Sequence, residues 1–372
     1  MNRREFLATT AGGLVSTIPI FAALTPPIRP KKILVLGGTY FLGPAVVQYA
    51  LDQGHEITLF NRGKTNPGLF AAVEHICGDR DPHSPNLSRL QGTRKWDAVI
   101  DVWPSDPHVV AATARLLQDR VSRYVFVSTI VAYKDLRKIG VVESDPLFDD
   151  LTNAEAWYEY DKAQCERVLQ QIYGERHSVC RSHIINGYGN DSDTFRFWLV
   201  RIDRGGEVLA PGDGTDPVQF TDVKDVGAFV LKVAANDLPG AYNVAGPIPG
   251  KLTFRQLIEQ LNMFTGNKAK LVWVSDAFLQ ANHIEAFRTL AMWVPVQRAR
   301  KPGFMQINQK KALDAGLTFR RIELTAEDEL KWFRETMPRD YEFGVGKSNK
   351  GFPRARELEL LAAWRSQSQR AS

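Results

Sequence analysis

Lys32-Ile33-Leu34-Val35-Leu36-Gly37-Gly38-Thr39-Tyr40-Phe41-Leu42-Gly43-Pro44 is the stretch that decides the fold. Its first five residues are a β-branched and apolar run, long enough for a parallel strand buried on both faces. A glycine-bearing turn follows, and Pro44 stands where the first turn of a helix tolerates proline. Residues 45–53 read as a helix closed by Gly54, and residues 55–60 as the next strand. Strand, glycine turn, helix and strand within about thirty residues is the setting of a dinucleotide fingerprint. A turn without side chains lets backbone N–H groups approach a pyrophosphate, and the start of the helix adds roughly half a positive charge. Gly37 supplies the tight turn and Gly43 the close packing of helix on strand. Tyr40 stands where the usual pattern has its middle glycine, so its side chain must leave the phosphate side.

The alternation continues outward. Residues 73–77 are strand-like and run into Gly78-Asp79-Arg80-Asp81; residues 96–102 form a fourth strand, 108–117 a helix and 123–128 a fifth strand. This pattern predicts an α/β fold, a doubly wound parallel sheet with right-handed crossovers and its ligand at the carboxyl ends of the strands. Trp103 falls near that edge, as packing or as a binding platform. The remainder predicts a smaller, discontinuous α+β lobe, with helices over 253–264, 326–336 and 354–366, a short strand over 271–274 and a loop over 339–351. Trp293, Phe304 and Met305 are assigned to its packing. The division expected is a signal segment over 1–30, a Rossmann domain over 31–185 with a return segment over about 215–247, and a substrate lobe over 186–214 and 248–372.

Composition narrows the class. Of 372 residues 44% are hydrophobic, enough to offset the ordering entropy and exclude a disordered chain. A mean hydropathy of -0.25 excludes a polytopic membrane protein. The formal charge of +5 is small for this length and gives no footprint for a nucleic-acid partner. Cys77, Cys165 and Cys180 are far apart and read as small buried hydrophobes, and the scattered histidines have no metal-ligand spacing, so no metal is expected. The N-terminus has the layout of an export segment: Arg3-Arg4-Glu5-Phe6-Leu7, an almost uncharged stretch to Leu24, then Pro26, Pro27 and Pro30. It resembles a twin-arginine signal, with Ala8 in place of the usual basic residue. The expected location is periplasmic, or the outer face of the inner membrane with residues 1–24 as a retained anchor, and the export machinery is an expected partner. Such export carries folded proteins, which suits one that takes up a cytoplasmic cofactor.

Three motifs occur in order: Gly37-Gly38-Thr39-x-Phe41-Leu42-Gly43, then Ser128-Thr129 with Tyr133, then Tyr158-x-x-x-Lys162. Together they resemble the extended short-chain dehydrogenase/reductases of the NAD-dependent epimerase/dehydratase type over residues 31–247. A Tyr-x-x-x-Lys pair is weak alone among ten tyrosines, but this one opens a helix after the fifth strand, and no other tyrosine here has lysine four residues on. Residues four apart share a helix face, so Lys162 is expected to lower the Tyr158 phenol from its ordinary ~10. The resemblance implies that Tyr158 exchanges a proton while the nicotinamide exchanges hydride, that Thr129 holds the substrate oxygen, and that Lys162 also bonds the nicotinamide ribose. It implies NAD(P) bound by Gly37, Gly38, Thr39, Tyr40, Phe41, Leu42 and Gly43, by Asn61 and Arg62 at the adenosine ribose, by Asp79 at the adenine amine with Arg80 beside it, and by Lys162. Asn61 is neutral and Arg62 cationic, which favours NADP(H) over NAD.

The substrate expected is small and hydroxylated or carbohydrate-like, but not a nucleotide-sugar. Ile184 and Val218 stand where nucleotide-sugar enzymes of this family carry the Asn and Arg that contact the substrate and its diphosphate. His183, Asn186, Tyr188, Gln219 and Asp222 are the candidate substrate contacts. The final helix docks on the protein or on a second subunit, so a homodimer is allowed. A rival reading comes from the Gly-Gly-Thr-x-Phe turn, which is also found in atypical members resembling the chloroplast stem-loop RNA-binding proteins, where the fold serves as a catalytically silent binding module. Intact Thr129, Tyr158 and Lys162 favour the enzyme.

Overall fold

Runs of β-branched and apolar residues separated by amphipathic helices give the sheet its order. The computed structural model describes residues 29–371 apart from 103, 347 and 349. The twin-arginine motif with its anchor and Trp103 thus lie outside the described residues. In chain order the first half comprises β1 (Lys32–Leu36), α1 (Leu42–Asp52), β2 (Glu56–Asn61), β3 (Glu74–Cys77), β4 (Trp96–Asp101), α2 (Pro107–Leu117), β5 (Val121–Thr129), α3 (Trp157–Tyr173) and β6 (His177–Ser182). There follow β7 (Ile185–Asn186), α4 (Thr194–Asp203), β8 (Gly206–Pro211), β9 (Thr221–Asp222), α5 (Val223–Ala235), β10 (Gly240–Val244), α6 (Phe254–Phe264), β11 (Ala269–Val274), α7 (Asp276–Ala281), α8 (Lys310–Asp314), α9 (Ile322–Thr336) and α10 (Arg354–Ala371).

Seven strands form one parallel sheet in the order β10-β6-β5-β4-β1-β2-β3. Both faces are covered, which is why β1 reads as an unbroken apolar run. Ile33 and Val35 pack with α1 and α5 on one face, while Leu34 and Leu36 pack with α2 and α3 on the other. The chain returns to the sheet through α5 and β10 after an excursion into the second lobe. That lobe is built on a parallel pair, β8 with β11, and on a core that includes Trp198, Phe254 and Trp293. Thr253 caps α6 through a reciprocal pair with Gln256. Cys165 and Cys180 are buried as expected, whereas Cys77 is exposed at the end of β3. Among the described residues no helix is long and apolar enough to cross a membrane.

Candidate active site

The register lines up the carboxyl ends. Leu36 pairs with Phe60 and with Asp101, Asp101 with Phe126, and Phe126 with Val179, so these residues form one row across the sheet. The glycine turn leaves the sheet directly beyond this row. It is built for close approach: a Cβ on Gly43 would stand 2.6 Å from the Gly38 Cα, and one on Gly38 would stand 2.7 Å from the Leu59 side chain. Gly37 N–H donates to Phe60 O, and Gly43 N–H to Tyr40 O. Phe41 is the N-cap of α1 and no side chain caps the helix; with the Gly43 N–H given to Tyr40 O and Pro44 lacking an N–H, the Leu42 N–H is the one left at the helix start for a ligand. Buried glycine contacts and an uncapped helix start fit a dinucleotide diphosphate.

The neighbouring residues divide by what their polar atoms already do. Asn61 supports the turn: its Nδ2 donates to Gly37 O at 2.7 Å and its Oδ1 accepts from Gly63 N–H at 2.8 Å. Asn66 adds a bond from Nδ2 to Thr39 O at 2.9 Å, a support the sequence reading did not assign. Both ends of the Asn61 amide are thus engaged by the backbone, where the sequence pointed to the ribose. Arg62 is exposed, and its guanidinium has no partner among the described residues. Asp79 is half-buried, with Oδ1 accepting from Asp81 N–H. The Arg80 side chain is engaged within the protein. It forms a bidentate ion pair with the fully buried Asp101 at 2.6 and 2.7 Å, because a carboxylate enclosed at the end of β4 requires a partner. The Tyr40 hydroxyl donates to Asp191 Oδ2 at 2.5 Å, and partial burial together with that carboxylate pushes the phenol up to about 12.

Lys162 rises from α3 to the far side of the row. Its Nζ donates to Val127 O at 2.9 Å and lies 4.7 Å from the Phe126 ring centroid. With β4 between β5 and β1, this places the amine two strand spacings from the turn, roughly 10 Å. Tyr158, one helical turn earlier, is 37% exposed, with Trp157 edge-on to its ring. Thr129 is half-buried at the end of β5, and its Oγ1 accepts from Val131 N–H. The three residues and the turn thus share one edge of the sheet. One expectation is corrected: the Tyr158 phenol is raised, by burial and then by Glu159 and Cys165, rather than lowered. Lys162 does not offset this: its own burial pushes its amine down to about 8, and its Nζ is committed to a backbone carbonyl.

Tyr133 is a structural member of its motif. Its hydroxyl donates to Asn243 Oδ1 at 2.6 Å and accepts from Arg181, which also pairs with the buried Glu166; Glu166 accepts from the Ser128 hydroxyl at 2.5 Å. This chain ties β5, α3, β6 and β10 together behind the site.

The five expected substrate contacts lie at the crossing between the lobes. His183 is buried, its Nε2 bonded to Phe304 O at 2.7 Å and its Nδ1 accepting from Ile184 N–H, and burial pushes it down to about 4. Gln219 is fully buried, donating to Pro247 O and Ile307 O and accepting from Ile307 N–H. Asp222 caps α5 and accepts from Arg320 and Thr325. Asn186 is fully buried and accepts from Thr194. Tyr188 is exposed but donates to Glu335. His183, Gln219 and Asp222 bond the chain where it crosses between the lobes, the Asn186 Nδ2 is buried without a partner, and all four of these residues are buried.

Fold and site together define a dinucleotide-binding α/β protein with a tyrosine–lysine pair at its ligand edge. The chain belongs to the NAD dependent epimerase/dehydratase family, whose model matches residues 33–245, more than half of its length. The close glycine turn at the end of β1 fits the dinucleotide that this family's description names. It is 25% identical over 231 residues to the chloroplast stem-loop binding protein of 41 kDa b from Arabidopsis thaliana, a match covering 58% of this chain and 59% of that protein. UDP-N-acetylglucosamine 4-epimerase from Bacillus cereus superposes with a TM-score of 0.57 at 18% identity, covering 81% of this chain and 99% of the other. The Bordetella bronchiseptica enzyme WbmH in complex with NAD+ gives 0.59 at 15% identity, covering 82% and 99%.

Proposed function

We propose that the protein is an NAD(P)-dependent oxidoreductase or epimerase acting on a hydroxyl- or keto-bearing carbon of a small, carbohydrate-like substrate other than a nucleotide-sugar. The observation that carries this reading is a partly exposed Tyr158 phenol, one helical turn from a buried Lys162 amine, on the same sheet edge as an uncapped helix start. The nicotinamide, when bound, supplies the hydride exchange. Tyr158 gives or takes the proton of the substrate oxygen, and Thr129 orients that oxygen. Lys162 supplies positive charge to the phenolate as it develops.

Several features support the substrate class. Val218 is buried at the place of the diphosphate-binding arginine, and Ile184 packs on the core of the second lobe. Arg201 and Arg204, the arginines that could take that role instead, are engaged elsewhere: Arg201 is buried against Glu357 and the carbonyls of Gly205 and Glu207, and Arg204 donates to Tyr341 O and lies over the Phe343 ring. The unpaired Arg62 supports NADP(H) over NAD. The twin-arginine resemblance supports export to the periplasm with cofactor already bound, where a dinucleotide recycled within each turnover, as in an epimerase, needs no external supply.

Native mass spectrometry of the exported protein tests this reading, since it reports cofactor, redox state and subunit count together. The expected result is one NADP(H) or NAD(H) per chain. A protein that carries no nucleotide and turns over only with added NAD(P)H overturns the recycling mechanism. A protein that binds no dinucleotide but binds stem-loop RNA with steep salt dependence supports the second reading, which rests on the Arabidopsis relative.

A further inference from the structure

The one departure from the glycine fingerprint has a partner 151 residues away, in the segment that follows β7. Tyr40 occupies the middle-glycine position, and its hydroxyl reaches Asp191 at 2.5 Å. Beside it, Phe41 holds a φ of 45°, and a Cβ on Gly189 would stand 3.9 Å from the Phe41 Cα. The segment from Gly187 to Asp193 therefore lies on the turn. It is moored to the second lobe on both sides of that contact. Gly187 N–H donates to Glu329 Oε1 at 2.9 Å, and the Tyr188 hydroxyl donates to Glu335 at 2.9 Å. Asp193 pairs with the buried Arg196 and accepts from the Tyr341 hydroxyl at 2.6 Å. Asp191 is the residue by which this moored segment grips the other lobe.

We propose that Tyr40 and Asp191 form a clasp that retains the dinucleotide by holding this segment across the glycine turn. The proposal rests on the reading of the turn as a cofactor site and deepens it. The close glycine turn and the Leu42 N–H at the α1 start form a cradle for a diphosphate, and the clasp joins the rim of that cradle to a segment fixed in the other lobe. Departure of the dinucleotide requires the rim to open, so the Tyr40–Asp191 bond slows release more than it strengthens first contact. Nothing in the fingerprint itself calls for a tyrosine here, and a glycine would leave Asp191 without this donor. The phenol stays protonated through the neutral range, so the bond persists there.

The test measures the dissociation rate of NADPH or NADH from the full-length folded protein. Nucleotide fluorescence is followed after dilution into excess unreduced dinucleotide. Tyr40→Phe keeps the ring and removes only the donor. Release is expected to accelerate roughly tenfold, the factor associated with one hydrogen bond to a carboxylate. Asp191→Ala is expected to give a similar acceleration, and the double variant no more than either single one, since both remove the same bond. The apo-protein melting temperature serves as the control for folding and is expected to be unchanged in Tyr40→Phe. Release rates within twofold of the parent in Tyr40→Phe overturn the clasp while leaving the cofactor site standing. Slower release in Asp191→Ala also overturns it, because the carboxylate then acts by repelling the diphosphate. A parent protein that binds neither dinucleotide overturns the clasp and the cofactor reading together.

Discussion

Two clusters of polar residues stand near the carboxyl edge of the sheet, and they differ in what is left over. At the glycine turn and the start of α3, the Leu42 N–H, the Arg62 guanidinium and part of the Tyr158 phenol remain available. At the crossing between the lobes, His183, Gln219 and Asp222 have their bonding capacity taken up by Phe304, Ile307, Pro247, Arg320 and Thr325. Polarity is the same in both. Unused hydrogen-bonding capacity is what separates a place for a ligand from a weld between lobes.

The contrast breaks if the first cluster proves inert. Tyr158→Phe removes the proton donor, and single-turnover hydride transfer to the protein's substrate is expected to fall ~10²–10⁴-fold with bound dinucleotide retained. Gln219→Leu addresses the second cluster. It leaves two buried carbonyls and one N–H unpaired, and urea unfolding is expected to show a loss of about 4 kcal/mol with unchanged nucleotide stoichiometry. A loss of turnover without a loss of stability would move Gln219 back into the site.

A pH series sharpens the view of the lobe junction. Burial raises the Glu329 carboxyl from 4.5 to about 7 in the folded protein, against the pull of Arg196. A folded pKa above the unfolded one means that the folded state holds the extra proton. Stability from this group is therefore full below pH ~4.5 and is lost as pH rises to ~7, by about 3 kcal/mol. Glu329→Gln is expected to flatten this slope, so that its stability relative to the parent is higher at pH 7.5 than at pH 4.5 in matched urea titrations. The smallest expected effect concerns Arg62. Arg62→Ala is expected to weaken NADPH binding about tenfold and to leave NADH binding within a factor of two, as measured by fluorescence titration.

The dinucleotide half was legible because each strand and helix there carries its own signal. The β1 run, Pro44 at the helix start and the positions of Tyr158 and Lys162 are local facts, and the sheet honours them. The second lobe was less so. The residues of α4 from Thr194 to Ile202 are all buried, so no polar face gives the helix a period to read. The β8–β11 pair joins Gly206 to Ala269, a partnership written in no short stretch. The site failed to read where a residue's role depends on a distant partner. Arg80 looked like a cofactor contact until Asp101 was found enclosed beside it, and Tyr40 looked like a flaw in a motif until Asp191 was found opposite. The sign of the Tyr158 shift was missed because proximity of an ammonium says nothing about how deeply both groups are buried.

Glu357 carries a consequence for synthesis. This buried carboxylate on α10 accepts from Leu209 N–H in β8 and pairs with Arg201 of α4 and Arg354. The final helix therefore completes the edge of a strand laid down some hundred and fifty residues before it. A nascent chain can assemble the parallel sheet while translation continues, but the smaller lobe stays open along β8 until α10 has been made. A stop codon just upstream of residue 354 would leave Arg201 without its counter-charge, and quality control should see that product as unfinished on one side only.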